Sequence, residues 1–144
     1  MHLLREIVRT HQAMMAAFSR TMGVPGSRFA LMRVLASAKD GIGVMEIAAQ
    51  LGINAAAVVR QVNELESEGV VRRRADTRDG RRNYVSLSVK GAKLFSEMHE
   101  RSHALEHALV AKIGAEKMIA AAEVLASLRE CVGTIANDRL TAVP

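Results

Sequence analysis

Aromatic residues and prolines are scarce in this chain, and each scarcity limits the folds that the chain can adopt. Tryptophan is absent and aromatic residues make up 3% of the 144 residues, so a core has to be built from aliphatic side chains and the eight methionines. Two prolines occur, Pro25 and Pro144, so long helices would meet few breakers. This composition favours a helical protein over a β-sandwich.

The chain also has little cysteine and no long apolar run. Its single cysteine, Cys131, excludes an intrachain disulfide and a zinc site built from several cysteines, and it suits a reducing cytoplasm. Neither a membrane-spanning apolar stretch nor a secretory signal pattern is found. We therefore expect a cytoplasmic protein with no membrane partner and no cofactor.

What the chain does have is apolar content and positive charge. Hydrophobic residues make up 49%, which indicates a globular protein, and 144 residues suffice for one domain of ordinary size. The net charge of +5 favours a polyanionic partner, although many basic proteins bind none.

Apolar residues recur at helical spacing along most of the chain. The predicted helices cover about 3–22, 28–38, 44–51, 55–68, 91–113 and 115–136. We expect Ser27 and Asn54 to act as N-caps, residues 40–43 to form a turn, and the tail from Asn137 to be loose.

Residues 72–82 contain the densest run of charge. Six arginines surround two aspartates and a turn glycine there, and residues 84–88 then alternate as a half-buried strand does. The arginines are Arg72, Arg73, Arg74, Arg78, Arg81 and Arg82. The pattern predicts a β-hairpin with a basic tip that reaches DNA phosphates and the narrow groove. The alternative is a solvated charged loop.

Two short helices separated by a turn at Gly52 precede this hairpin. In the second, Ala55, Val58, Val62 and Leu65 gather on one face, which we expect to pack on Ile47 and Leu51. Helix, turn, helix and basic hairpin is the order of a winged helix-turn-helix, whose second helix enters the major groove.

The candidate base contacts lie at the start of that second helix. They are Asn54, Ala56, Ala57, Arg60 and Gln61. Arg60 can fork onto guanine or hold a phosphate, Gln61 suits adenine, and the alanines can touch only thymine methyl groups. In the alternative interpretation, Arg60 merely pairs with Glu64 one turn away.

The helices at the two ends of the chain have wide apolar arcs. A lobe over residues 28–88 is too small to bury them, so we expect residues 1–22 and 91–136 to form the dimerisation region of a homodimer. Residues 1–144 would then be a single domain. A monomeric helical bundle is the alternative.

The sequence resembles the MarR family of bacterial transcriptional regulators. The resemblance is densest at residues 51–53, 58–73 and 76–91, where Asp76, Arg78, Asp79 and Arg81 match the family's wing pattern. It implies a mainly α fold with a small β-hairpin wing, in which Arg78 enters the minor groove. It also implies that Asp76 orients a neighbouring arginine and holds the hairpin in shape, and that Arg81 or Arg82 touches phosphate. We place Arg74 in the same DNA-binding set.

The resemblance further implies a repressor that binds a pseudo-palindromic site on double-stranded DNA and releases it when a small aromatic or lipophilic ligand binds. The soft side chains of Met14, Met15, Met32 and Met98 are candidate ligand contacts, with His11 and Arg33 as carboxylate partners. Simple core filling by the methionines is the alternative.

Three other functions stay open at this point. His99, His103 and His107 are spaced at i, i+4 and i+8, so adjacent pairs, above all His103 and His107, can share zinc in a zinc-responsive regulator. Cys131 would be the sensor of an oxidation-responsive one, although a buried inert thiol is the simpler expectation. A non-specific architectural DNA-binding protein would also suit the alanine-rich helix. An enzyme is not expected, because no phosphate-binding loop or nucleophile elbow occurs.

Overall fold

The computed structural model describes residues 2–78 and 83–141, with side chains described as far as residue 138. The described residues form helices interrupted by one small sheet. In chain order the elements are α1 (Leu3–Met22), α2 (Gly26–Ser37), β1 (Ile42–Gly43), α3 (Val44–Leu51), α4 (Ala55–Ser67), β2 (Val71–Ala75), β3 (Asn83–Leu87), α5 (Val89–Ile113) and α6 (Ala115–Thr141). The mainly helical class with a hairpin wing is confirmed. No helix in the described part of the chain is long and apolar enough to cross a membrane.

The chain divides into two compact units within α5, after Ser102. The first unit holds α1 to α4, the sheet and the first half of α5, and the second holds the rest of α5 and α6. The core of the first unit is aliphatic, with methionine in it, as the composition predicts. Its most deeply buried side chains are Leu31, Met32, Leu35, Ile47, Val58, Val62, Leu65, Val70, Val85 and Met98.

The start of α2 differs from the prediction that Ser27 is its N-cap. The helix begins two residues earlier than a cap at Ser27 would place it, at Gly26, and Pro25 is its N-cap, with no side-chain capping bond. The carbonyl of Pro25 accepts hydrogen bonds from the backbone of Arg28 and Phe29. The missing N–H of proline costs the helix nothing, because the residue before the first helical turn only has to supply its carbonyl.

The turn predicted over residues 40–43 is wrong in its second half. Ile42 and Gly43 form β1, which pairs antiparallel with β3 through Ile42–Val85 and Gly43–Tyr84. The sheet order is therefore β1-β3-β2. A strand of two residues is too short to show alternation in the sequence, so β1 is recognised only by its pairing with β3.

The helix-turn-helix forms as predicted. Gly52 ends α3 in the left-handed conformation at φ 65°, and the Asn54 side chain caps α4 by accepting a hydrogen bond of 2.8 Å from the backbone N–H of Ala57. Val58, Val62 and Leu65 of α4 are all buried, as is Ile47 of α3. These contacts fix which face of α4 points outward.

Both later helices are longer than predicted. The Ser88 hydroxyl accepts a hydrogen bond from the backbone of Gly91 and donates to the Val70 carbonyl, so α5 starts at Val89. A Cβ at Gly91 would lie 2.0 Å from that carbonyl oxygen, so only glycine lets α5 begin there. At the other end, α6 continues to Thr141, so the loose tail is wrong for residues 137–141; residues 142–144 lie outside the described residues. No glycine or proline interrupts residues 137–141, and extending an existing helix is easy.

Candidate nucleic-acid interface

The outward face of α4 presents an arginine, Arg60. Asn54, Ala56 and Arg60 are exposed and Ala57 is half-buried. Among the residues that the structure describes, Arg60 has no ion-pair partner, so the alternative pairing with Glu64 is not formed. An uncommitted guanidinium on the first half of this helix can fork onto guanine or bind a phosphate.

Gln61 lies at the edge of that face. It is half-buried, and its Oε1 is buried without a hydrogen-bond partner within the described part of the chain. The residue lines a small cavity of about 100 Å³ together with Pro25, Ser27, Arg28 and other residues of the α2–α4 junction. Its amide therefore lies beside the start of α2 rather than at the centre of the exposed face.

The hairpin is fixed in register and connected to α4. Strands β2 and β3 pair antiparallel, with Val71 opposite Leu87 and Ala75 opposite Asn83. From β2, Arg73 donates a hydrogen bond through Nη2 to Oδ1 of Asn63, and its Nε lies 3.4 Å from Oε2 of Glu66. The outward face of α4 and the wing are thus parts of one surface.

Arg74 is also held within the protein. Its Nη2 donates a hydrogen bond of 3.1 Å to the carbonyl of Asp40, and its guanidinium lies 5.7 Å from the centre of the Tyr84 ring. The first contact joins the hairpin to the turn before β1, and the second joins β2 to β3. Arg74 therefore stabilises the wing, and its predicted role in DNA binding stays a prediction.

At the tip, Asp76 shapes the turn. Its Oδ1 accepts a hydrogen bond of 2.9 Å from the backbone N–H of Arg78, and its Oδ2 lies 3.4 Å from the Tyr84 hydroxyl, which donates to it. Arg78 is exposed. Asp79, Arg81 and Arg82, also predicted for this site or its wing pattern, lie outside the described residues.

Negative charge at the end of α4 is offset by arginines. Besides the contact of Glu66 with Arg73, Glu68 forms a two-pronged ion pair with Arg28, with N–O distances of 2.8 and 2.9 Å. The hydrogen bond from Arg28 is the main reason that the pKa of Glu68 is lowered; desolvation opposes the shift, and the charges of Arg28 and Lys90 add to it. A helix end that would otherwise repel phosphates is therefore partly neutralised.

Three residues of this surface were not among the predicted contacts: Asn63, Arg73 and Tyr84. Asn63 shares the outward face with Arg60, and strand alternation places Arg73 on the same side of β2 as the buried Val71, toward α4. Both signals are present in the sequence. Only the folded hairpin shows that the two side chains meet.

The predicted ligand residues differ in how far they are buried. Met32 and Met98 are buried in the core, as the core-filling alternative expects. Met15 is half-buried, and the exposed residues are His11, Met14 and Arg33. The Arg33 guanidinium lies 4.9 Å above the centre of the Phe29 ring.

The scarce aromatic residues cluster in the first unit. The rings of Phe18, Phe29, Phe95 and His99 stack in sequence, with centroids 5.5 to 5.8 Å apart. Phe95 also lines a cavity of about 270 Å³. The other lining residues are Leu35, Ala36, Lys39, Leu87 and Ala92. A mostly apolar cavity with one ammonium group is suited to a small apolar acid.

The metal interpretation receives no support from the geometry of the described residues. His103 and His107 are exposed, and across residues 2–78 and 83–138 no three His, Cys, Asp or Glu side chains group so that they could hold a metal ion. Cys131 is exposed in the single chain, and the buried thiol stays a prediction. It lies next to Val132 on a helix that buries none of its described side chains.

The sequence and the fold were both compared with those of known proteins. A family model described as "MarR family" matches residues 22–82. The uncharacterized HTH-type transcriptional regulator YdgJ of Bacillus subtilis (strain 168) is 26% identical over 133 residues, which are 92% of this chain and 80% of that protein.

Two solved structures show the same fold. The transcriptional repressor CouR bound to a 23-mer DNA duplex has a TM-score of 0.83 and 22% identity, covering 89% of this chain and 92% of that one. NadR in complex with 4-hydroxyphenylacetate has a TM-score of 0.72 and 24% identity, covering 89% of this chain and 92% of that one.

Proposed function

Because the chain belongs to the MarR family of winged helix-turn-helix transcriptional regulators, we propose that it represses transcription by binding a pseudo-palindromic DNA site as a homodimer. The observation that supports this most directly is the connection of α4 to the wing. The outward face of α4 carries Arg60, which has no ion-pair partner among the described residues. Arg73 joins that face to a hairpin whose tip exposes Arg78.

The two parts of this surface would do different work. The first turns of α4, with Asn54, Ala56, Ala57 and Arg60, would enter the major groove, where Arg60 is the main source of hydrogen-bond donors to base edges. The wing would lie along the adjacent minor groove with Arg78 inserted, a contact that depends on groove width more than on base identity. The alanines make few hydrogen bonds, so phosphate contacts and DNA shape would supply much of the affinity.

Exposed apolar side chains support a homodimer built on the helices at the two ends of the chain. In the single chain, α1 exposes Leu3, Leu4, Val8 and Met14, and α6 exposes Ile119, Val124, Leu125, Val132 and Ile135. None of the described side chains of α6 is buried. Apolar helices left uncovered in one chain are typical of an interface with a second copy. Two lobes held in this way would set their α4 helices about 34 Å apart, one turn of DNA.

The cavity of about 270 Å³ is our candidate for the effector site. NadR holds 4-hydroxyphenylacetate, a small aromatic acid, and a molecule of that class would place its ring against Phe95 and its carboxylate at Lys39. Since the cavity is lined by both α2 and the start of α5, its occupancy can change how these elements pack and so alter DNA affinity.

Binding-site selection tests the proposal. The full chain is incubated with a pool of random duplexes, and bound DNA is sequenced after several rounds. We expect a two-fold symmetric motif with half-sites about one turn apart. Arg78→Ala should weaken binding to that motif about 10- to 100-fold, the size expected for a charged hydrogen-bonded contact, whereas Arg60→Ala should also relax the preference at one base pair of each half-site. Selection that enriches no motif would contradict the proposal.

A non-specific architectural DNA-binding protein is the second candidate, because α4 has so many alanines. It would bind scrambled and selected duplexes equally. Members of the MarR family are transcriptional regulators rather than enzymes, and we propose no enzymatic activity.

A further inference from the structure

We infer that Asn63 is a specificity-determining residue of the α4 surface and that Arg73 is its positioning residue. The inference deepens the proposed function and rests on it. Its basis is the meeting of three side chains from two elements: Asn63 and Glu66 on α4, and Arg73 on β2.

Asn63 is placed to meet the DNA. It is exposed, and at 100° per residue it lies within about 60° of Arg60 on the same side of α4. The buried residues Val62 and Leu65 lie on the other side and fix this orientation. Asn63 is nearly one turn further along the helix than Arg60, where α4 runs toward the wing.

Arg73 decides which end of the Asn63 amide is displayed. Its Nη2 donates to Oδ1, so the oxygen is occupied inside the protein and the amide NH₂ is left for an outside partner. Glu66 holds the same guanidinium from the other side, with Nε–Oε2 at 3.4 Å, and so limits the rotation of Arg73. An asparagine that is free to use both groups would favour adenine, which offers one acceptor and one donor.

An amide presented as a donor instead favours base edges that offer acceptors. In the major groove guanine offers N7 and O6 and thymine offers O4, whereas the N7 acceptor of adenine lies beside an N6 amino donor that the amide NH₂ cannot satisfy. We therefore expect Asn63 to select one guanine or thymine in each half-site, at a position different from the one that Arg60 reads. The alternative is that the amide donates to a phosphate, which would add affinity but no sequence preference.

The test compares the base preferences of four proteins on duplexes derived from the selected motif, each with one position varied. Asn63→Ala should lose a preference of about 5- to 150-fold at one guanine or thymine and keep it elsewhere. Arg73→Lys retains a positive charge near Glu66 but has no planar fork with which to hold both partners. It should therefore weaken the preference at that same position and at no other.

Arg72→Lys is the matched control, because Arg72 is the exposed neighbour on the opposite face of β2. It should leave the preference at that position unchanged. An Asn63→Ala protein with an unchanged motif would overturn the inference, as would a uniform loss of affinity on all duplexes. If the wild-type chain itself selects no motif, the proposed function is contradicted. That result differs from the two outcomes for Asn63→Ala that would overturn the inference.

Discussion

Arg28 at the start of α2 and Glu68 at the end of α4 are joined by two parallel hydrogen bonds of 2.8 and 2.9 Å. The residues are 40 positions apart in the chain, so the pair connects the helix-turn-helix to the helix before it. Lys90 adds a hydrogen bond of 2.8 Å from its Nζ to the backbone carbonyl of Glu68. The end of α4 is thereby attached to both α2 and α5.

This pair gives stability a defined pH dependence. The pKa of Glu68 is held below its usual value of 4.5, mainly by the hydrogen bond from Arg28. A carboxyl whose pKa is lower in the folded protein stabilises it above the unfolded pKa, and that contribution is lost as the pH falls through the folded pKa. Arg28→Ala should therefore lower the free energy of unfolding by about 1 kcal/mol at pH 7, since the pair is partly exposed. The difference from wild type should shrink below about pH 4.5.

Urea unfolding at several pH values measures this difference. Arg9→Ala is the control, because Arg9 and Glu6 form a longer ion pair of 3.3 Å between well-exposed side chains of one helix. It should change the free energy of unfolding little at any pH. A difference for Arg28→Ala that stays constant from pH 7 to below pH 4 would contradict the role given to Glu68.

Asp76 should matter for DNA binding through the shape of the wing. Replacing it by alanine removes the acceptor for the backbone N–H of Arg78 and for the Tyr84 hydroxyl. The turn then has more conformations to lose on binding, and we expect about tenfold weaker binding to the selected duplex by fluorescence anisotropy. Thermal unfolding should change little, because the tip contributes nothing to the buried core.

Tyr84→Phe is the matched control for Asp76→Ala. It keeps the ring beside Arg74 and removes only the hydroxyl, whose bond to Asp76 is long at 3.4 Å. We expect less than a threefold change in affinity, because a bond of this length is weak. Equal affinity of Asp76→Ala and wild type would show that the wing does not need this turn.

Much of this surface follows from local sequence signals. The cap at Asn54, the stop at Gly52 and the inward face of Val58, Val62 and Leu65 each depend on neighbours within one or two helical turns, and all were predicted correctly. The wing strands followed from alternation together with a charged tip.

What the sequence did not reveal depends on partners far along the chain. Strand β1 exists only through its pairing with β3, and the contact of Arg73 with Asn63 needs the folded hairpin. The same holds for Arg74, which the sequence assigned to DNA binding. Its contacts with Asp40 and Tyr84 are seen only in the folded chain. Ser27 was expected to cap α2 because serine is a good cap in general, but Pro25 determines where that helix begins.

The apolar side chains of α6 should hold the dimer together. Leu125 and Val132 are both about half exposed in the single chain and lie seven residues apart, on one side of the helix. A double substitution, Leu125→Lys with Val132→Lys, would bury two charges without partners in a dimer interface. We expect sedimentation to show a monomer at concentrations where the wild type is a dimer.

Ser127→Lys controls for the added charge. Ser127 is exposed on the side of α6 away from Leu125 and Val132, and a lysine there is four residues after Glu123, with which it can pair. This variant should sediment as a dimer. If the double variant also remains dimeric, the interface does not use this side of α6.

The most direct measurement for the whole account is the ratio of dissociation constants for scrambled and selected duplexes at physiological salt. A regulator that reads bases with α4 and grips the backbone with the wing should prefer the selected duplex by about a thousandfold or more. Titration of salt should weaken binding to both duplexes, because phosphate contacts are common to them. A ratio near one would contradict sequence-specific recognition and identify the chain as a non-specific DNA-binding protein.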